Sequence, residues 1–308
     1  MILVIGSEEE YHSKFIHDQL LAKGEEVCYL DTRRINDDFR GSFYPDETVL
    51  KGNLILNGRK VFLDTIKSVY WRWNYGIKIP PESNSQEDYY TAYMAEREFT
   101  SLIDSLYKSM DCLWVNSLNA INMHKTKAYQ TRLMASNNIR VPKTLITNDR
   151  NELENFLKDY KGELIFKPVL GGAHTEKLDR EVFDEARLNL LKNSPVQFQE
   201  LLEGVDIRVY GIGDKLFSAE IRANTIDFRE DKEAELVPVE IPEKIQQDCF
   251  KIMELMDLKF TGIDIKYNPK KDEYVFIEAN PSPMFTFFQE KTGFPVSETL
   301  ISLLIKGK

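Results

Sequence analysis

Tyr274-Val-Phe-Ile-Glu-Ala-Asn-Pro281 reads as a strand whose alternation sets Val275, Ile277 and Ala279 on one face and Phe276, Glu278 and Asn280 on the other. Two oxygen-bearing side chains then point the same way. Upstream, Phe260-Thr-Gly-Ile-Asp-Ile-Lys266 places Asp264 between two isoleucines on a second strand. A carboxylate there is costly unless a cation or hydrogen bonds neutralise it. Asp, Glu and Asn offer only hard oxygens, the donors that Mg²⁺ takes together with water and nucleotide phosphates. Carboxylates on solvated strand faces are common, so an ion pair with Lys266 or an arginine explains either acid taken alone.

Working outward, Leu164-Ile-Phe-Lys-Pro168 ends a strand on Lys167, and Val-Leu-Gly-Gly-Ala-His-Thr175 follows at once. A strand lysine beside Gly171 and Gly172 can hold a cation against phosphate while bare backbone N–H groups wrap the oxygens. A glycine pair alone is as well read as a turn, and the absence of GxxxxGK[ST] excludes a P-loop. His174 could bond a phosphate or a reacting carboxylate, or be a structural or solvated histidine. Gln197 to Tyr210 reads as strand, turn at Gly204 and strand, with Asp206 and Arg208 on one face. Arg222 and Arg229 come later. Such arginines pair on the surface or clamp phosphate and carboxylate bidentately. No serine, histidine and acid arrangement suggests a hydrolytic triad.

The first residues follow a βαβ pattern: strand Met1 to Gly6, helix His12 to Lys23 stopped by Gly24, strand Glu26 to Asp31. Their glycine spacing is not GxGxxG, so no dinucleotide site follows from them. Asn57-Gly58 predicts a hairpin between Thr48–Leu56 and Arg59–Leu63. A strand Ser68 to Trp73 precedes a proline-, serine- and asparagine-rich loop and a helix from about Tyr89 to Lys108, whose apolar spacing suits packing on a sheet. Then come helix Lys125 to Asn137, strand Lys143 to Thr147, helix Asn151 to Tyr160, and helix Glu243 to Asp257 among further short strands. Phe285, Phe287 and Phe288 fit helix-on-sheet core better than a peptide contact. Arg229 to Pro238 reads as a hairpin over the site or a solvated loop.

The chain has 308 residues, 42% of them hydrophobic and 29% charged, enough for two or three packed units. The expected domains are an α/β domain over 1–120, a central lobe over 121–195 and a C-terminal lobe over 196–308. The net charge of −10 argues against nucleic acid and anionic membrane as partners. No apolar run is long enough to span a bilayer, and the start lacks the marks of a signal peptide. Cys28, Cys112 and Cys249 are isolated, without CxxC spacing, which suits a reducing cytoplasm.

In order, Lys127, Lys167-Pro168, Gln199-Glu200, Gly204-Val-Asp-Ile-Arg208, Glu220-Ile-Arg222, Asp264 and Glu278-Ala-Asn280 resemble the ATP-grasp superfamily. The resemblance spans roughly Ile121 to Pro283. It implies an α/β chain of α+β lobes in which an ATP-grasp fold is preceded by a βαβ-type N-terminal domain. Tyr70-Trp-Arg72, Lys127 fifteen positions before Pro142, Val141 to Asn148 and Gly171 to Thr175 are most similar to the microviridin-type, or graspetide, peptide ligases. Relatives of the glutamate ligase that modifies a ribosomal protein come next.

The resemblance implies ATP and Mg²⁺, with two ions, as cofactors. It assigns Lys127 and Lys167 to nucleotide phosphates beside the Gly171 and Gly172 loop, Glu200 and Leu201 to the adenine hinge, and Asp206 to the ribose. Asp264, Glu278 and Asn280 would hold the metal, and Arg208, Arg222 and Arg229 would meet the γ-phosphate or substrate carboxylate, with His174 nearby. The implied partner is a precursor peptide with a leader and a core containing Thr/Ser and Glu/Asp; monomer and homodimer stay open. The implied reaction is ω-ester or ω-amide macrocyclisation through an acyl phosphate, with ligation of free amino acids, small peptides or a protein tail as the alternative. Two departures stand out: Asp227 to Asp231 carries acids where the ribosomal-protein ligases would show Ser-Asn after the arginine, and Pro-Ser-Pro-Met-Phe follows Asn280 where microviridin-type relatives often carry glycine.

Overall fold

Strand β1 (Ile2–Gly6) pairs in parallel with β2 (Val27–Asp31) and with β6 (Ser68–Trp71), and β6 pairs with β7 (Leu113–Val115), giving a parallel sheet in the order β2-β1-β6-β7. The computed structural model describes residues 1–74, 76, 85–170, 175–178, 185–222 and 234–308. Strict alternation along β1 serves two cores: Ile2 and Val4 face helices α1 (Tyr11–Ala22) and α10 (Val296–Lys306), while Leu3 and Ile5 face α3 (Gln86–Ser109). Glu10 caps α1 by accepting the Ser13 N–H at 2.7 Å, and Gly24 at φ +78° follows its last turn.

A three-stranded sheet covers the Leu3 side: β3 (Phe39–Phe43), β4 (Gly52–Leu56) and β5 (Arg59–Phe62), entered through the short helix α2 (Ile35–Asp38). The hairpin turns on Asn57 at φ +49° and Gly58 at φ +77°, the pair of positive values that its two-residue loop requires. Strand β3 was not expected from its sequence, and the strand before the turn begins at Gly52, not Thr48.

After the short helix α4 (Leu118–Asn122), helix α5 (Lys127–Ser136) leads into a second sheet built from β8 (Thr144–Thr147), β9 (Leu164–Pro168), β10 (Glu176–Lys177) and β11 (Val196–Glu200), with helices α6 (Arg150–Asp159) and α7 (Glu185–Leu191) between strands. Its order is β10-β9-β11-β8. Since β11 closes this sheet, the change to the next one falls between Glu200 and Val205.

The third sheet runs β14-β13-β12-β15-β16, from β12 (Val205–Ile212), β13 (Lys215–Arg222), β14 (Glu235–Pro238), β15 (Phe260–Asn268) and β16 (Glu273–Asn280). Ile207, Val209, Ile263 and Ile265 pack its back against α5 and α8 (Glu243–Leu255). On the front, Tyr210, Ile212 and Phe260 join Phe285, Phe288, Leu300 and Leu304 in the core shared with the first sheet. Phe285 and Phe288, flanking the start of α9 (Thr286–Thr292), are buried, whereas Phe287 is exposed. Glu235–Pro238 of the expected hairpin is an edge strand on β13; its residues 229–233 lie outside the described set.

Candidate functional site

The front of the third sheet passes from apolar to charged along the strands. In β12 the face reads Ile212, Tyr210, Arg208, Asp206, and opposite in β15 it reads Phe260, Gly262, Asp264, Lys266. Arg208 and Asp264 are direct cross-strand partners joined by a short Nη1–Oδ1 contact, and Lys266 Nζ lies 2.9 Å from Asp206 Oδ2. Gly262 makes room for the guanidinium: a Cβ there would sit 3.1 Å from Arg208 Cζ and 3.0 Å from Pro283 Cβ.

Glu278 reaches this face through a bulge. Asp264 pairs with Glu278 while the next residue, Ile265, pairs with Phe276, so Ile277 is the extra residue on β16. The expected placement of Phe276 on the Glu278 face is therefore corrected. Phe276 turns into the core with Ala279, and Glu278 stands beside Asp264 with Asn280 two positions on. Continuous alternation would have hidden this, because the inserted residue resets the period.

Cations surround the two acids. Lys127, at the start of α5, places Nζ 2.6 Å from Glu278 Oε2. Burial pushes the Glu278 carboxyl up, but Lys127, Lys167 and Arg208 outweigh it and leave it below the ordinary value. Burial raises Asp264; Arg208 pulls it back, and Glu278 and Asp206 add to the rise. Burial also lowers Lys167, against the pull of Glu278 and Asp264 and with Lys127 adding to it. The structure thus brings Lys127, Lys167, Arg208, Asp264 and Glu278 into one electrostatic group.

Other expected residues lie at its margins. Glu200, ending β11, is held by Arg140 Nη2 at 3.2 Å and accepts the Lys143 N–H at 3.1 Å, while the Leu201 N–H donates to the Glu163 carbonyl. Arg222 is exposed and bonded to Glu220 at 2.8 Å. Register sets Glu220 opposite Ile207 on the back of the sheet, so the described contacts do not carry Arg222 to the carboxylates. Gly171, Gly172, His174 and Arg229 lie outside the described residues.

Several contributors went unread in the sequence. Gln130, one turn after Lys127 on α5, takes the Ala279 N–H at 3.1 Å and so ties that helix to β16. His124 lies half-buried and edge-on to Trp73 at 5.9 Å, its pKa lowered by burial and by Lys127. Asn116 and Arg72 reach the exit of β16 from the first sheet. The helical spacing of His124, Lys127 and Gln130 could have signalled the first two, and Arg72 stands in the Tyr70-Trp-Arg72 motif, which did not show what its side chain reaches.

Among the described residues, no three His, Cys, Asp or Glu side chains converge on one point. The donor set here is two adjacent carboxylates and an amide, all hard oxygens, with one oxygen of each acid engaged by the named cations. That chemistry fits Mg²⁺ sharing its shell with phosphate oxygens.

A hard-oxygen pair ringed by lysines and an arginine suits a metal-bound polyphosphate, and the fold that presents it is that of an ATP-grasp ligase. The chain belongs to the RimK-like ATP-grasp domain family, whose profile matches residues 124–304. The fold of that family implies ATP and Mg²⁺.

Among curated proteins, the chain is 24% identical over 213 residues to the alpha-aminoadipate–LysW ligase LysX of Sulfurisphaera tokodaii, covering 65% of this chain and 74% of that one. It is 26% identical over 215 residues to a probable alpha-L-glutamate ligase of Vibrio atlanticus, covering 65% and 70%. Among solved structures, the ATP-grasp ligase PsnB complexed with minimal precursor is 29% identical, with a TM-score of 0.83 over 99% of this chain and 98% of that one. The macrocyclase MdnC of Microcystis aeruginosa, bound with precursor peptide MdnA, shares the fold at 20% identity, with a TM-score of 0.82 over 99% of both chains.

Proposed function

We propose that this ligase activates Asp or Glu side chains of a ribosomal precursor peptide as acyl phosphates and closes them onto a hydroxyl or amine of the same peptide, as ω-ester or ω-amide macrocycles. The observation that carries the reading is the likeness to PsnB, at 29% identity and a TM-score of 0.83 over 99% of the chain, first lobe included.

In this reading the peptide carboxylate takes the γ-phosphoryl group of ATP, and ADP leaves. The nucleophile then attacks the acyl carbon, its proton is lost, and inorganic phosphate departs. Lys127 and Lys167 hold phosphate oxygens, and Arg208 steadies the transferred group. Asp264, Glu278 and Asn280 would hold Mg²⁺, as two ions, which when bound would supply neutralisation of phosphate charge. Asp206 meets the ribose, Glu200 and Leu201 the adenine. We assign Gly171 and Gly172 to phosphate contact and His174 and Arg229 to the γ-phosphate or the substrate carboxylate.

We further place the boundaries of the three lobes near residues 120 and 195, the second moved to about 200 because β11 pairs within the second sheet, and the enzyme in the cytoplasm. Support for the latter is that Cys28, Cys112 and Cys249 are all free. A second reading, ligation of a free amino acid to a carrier or tail, is supported by the LysX and glutamate-ligase relatives.

Incubation with the peptide encoded beside this gene, ATP and Mg²⁺, followed by intact-mass measurement, separates the two. Loss of one water per bond supports macrocyclisation. A peptide left unchanged by an enzyme that ligates free amino acids overturns it.

A further inference from the structure

Two neighbouring parallel strands of the first sheet end on polar side chains that meet the exit of β16. Past β6, Arg72 is 5% exposed. Its Nη1 donates to Ser282 Oγ at 2.8 Å and to the Pro283 carbonyl at 2.9 Å, and the Ser282 hydroxyl donates back to the Arg72 carbonyl at 2.9 Å. Glu10, whose carboxylate caps α1, faces Arg72 Nε at 3.4 Å and balances its charge. Past β7, Asn116 is buried too. It donates Nδ2 to the carbonyls of Phe260, at 2.6 Å, and Pro281, and accepts the N–H groups of Lys259 and Phe260 on Oδ1 at 2.7 and 3.0 Å.

Four of these bonds fall on three consecutive residues, 281 to 283, directly after Asn280, while Asn116's other three go to Lys259 and Phe260. Within that stretch the Ser282 N–H donates to Asn280 Oδ1 at 2.9 Å, which fixes the amide, and among the described residues no second donor takes that oxygen's other lone pair. A strand exit without such restraint would let the amide rotate. A rotated amide presents its NH₂ group, which cannot bind a cation.

We infer that Arg72 and Asn116 are positioning residues for the metal: acting through Ser282 and Pro281, the first lobe sets the orientation of the Asn280 ligand oxygen. The inference rests on the reading of Asp264, Glu278 and Asn280 as the Mg²⁺ set. It makes the N-terminal lobe part of the metal site, which explains why a buried arginine and a buried asparagine point out of a Rossmann-like sheet toward a strand more than 160 positions away. Groups that orient metal ligands typically change affinity by about 10–100-fold when removed.

The test uses the full chain and Mn²⁺ as a paramagnetic probe, titrated in the presence of ADP with free ion read by electron paramagnetic resonance. Ser282→Ala keeps the Arg72–Glu10 pair and removes only the hydroxyl link. Arg72→Lys keeps the charge but loses the planar fork whose separate nitrogens meet Glu10 on one side and Ser282 and Pro283 on the other. Each is expected to weaken Mn²⁺ binding about 10-fold, with an unchanged thermal midpoint for Ser282→Ala and recovery in Ser282→Thr. Mn²⁺ affinity equal to that of the parent in both variants, with affinity lost in Glu278→Gln, overturns the inference and leaves the metal set standing. Unchanged affinity in Glu278→Gln overturns the metal set, and the inference with it.

Discussion

Lys127 Nζ and Glu278 Oε2 lie 2.6 Å apart across 151 positions of sequence, each side chain about a quarter exposed. The lysine compensates a carboxylate that burial penalises and that stands directly beside a second acid, Asp264. Removing one partner of such a pair leaves the other charge uncompensated. Lys127→Met is therefore expected to lower the unfolding free energy by about 1–2 kcal/mol, a value reduced from the fully buried case by partial exposure. Adding Glu278→Gln should restore most of it. A denaturant series on the parent, both single variants and the double decides the matter, and additive losses would contradict the pairing.

The chemistry asks more of Glu278 than stability does. Glu278→Gln keeps size and shape but gives up an anionic oxygen, and Asp264→Asn does the same across the strand pair. Each is expected to cut peptide-dependent ADP release by about 10²-fold or more, the usual scale for losing a group that organises transition-state charge. ADP release within a few-fold of the parent in either variant would remove that residue from the site.

Gly262 offers a steric test of the same face. A methyl group there would stand 3.1 Å from Arg208 Cζ and Nε and 3.0 Å from Pro283, and neither the ion-paired guanidinium nor the proline ring can retreat freely. Gly262→Ala is expected to cost about 1–3 kcal/mol and to lower turnover by displacing Arg208. Calorimetry together with ADP release checks both; a variant of parental stability and activity would mean that Arg208 has slack the geometry does not suggest.

Much of this arrangement was legible because strand period and helix caps are local. Alternation in β12 put Asp206 and Arg208 on one face, and Asn57-Gly58 announced the first-lobe hairpin, while the register that sets Asp264 beside Arg208 shows only in the paired strands. The Ile277 bulge was not, since Tyr274 to Asn280 reads as an unbroken alternation and the extra residue shows only against its partner strand. Arg222 looked equivalent to Arg208, yet register turns its neighbour Glu220 to the back of the sheet. Asn116 gave no sign at all, because its four hydrogen bonds go to backbone groups more than 140 positions away.

His12 predicts acid sensitivity. It lies beside Phe285 with Nδ1 lacking a hydrogen-bond partner among the described residues, and burial, with Arg72 adding and Glu10 opposing, lowers its pKa from 6.5 to about 4. The folded-state value is below the unfolded one, so the contribution is whole above pH 6.5 and is lost as pH falls toward 4. Glu10, also lowered, adds in the same direction at the acid end. The parent is expected to lose on the order of 2–3 kcal/mol across that window, and His12→Gln should flatten the profile. Unfolding free energies measured at steps from pH 7.5 to pH 4.5 test it, and parallel profiles would assign the loss elsewhere.

Arg140 joins the two sheets between which the nucleotide is proposed to lie. Its Nη2 is 3.2 Å from Glu200 at the end of β11, its Nε is 3.1 Å from Glu273 at the start of β16, and its carbonyl accepts the Phe276 N–H at 2.8 Å. The side chain is 40% exposed, so each ion pair contributes little to folding, about 0–1 kcal/mol. Its leverage is geometric, because Glu200 borders the proposed adenine hinge and Glu273 leads into the strand that carries Glu278. Arg140→Gln is expected to leave stability within about 1 kcal/mol while raising the KM for ATP on the order of 5-fold, the equivalent of roughly 1 kcal/mol of nucleotide binding, with kcat nearly unchanged. Since exposed pairs are screened by salt, high ionic strength should raise the parent's KM toward that of the variant and move the variant less. If salt shifts both equally, the two glutamates are surface partners of Arg140 and nothing more.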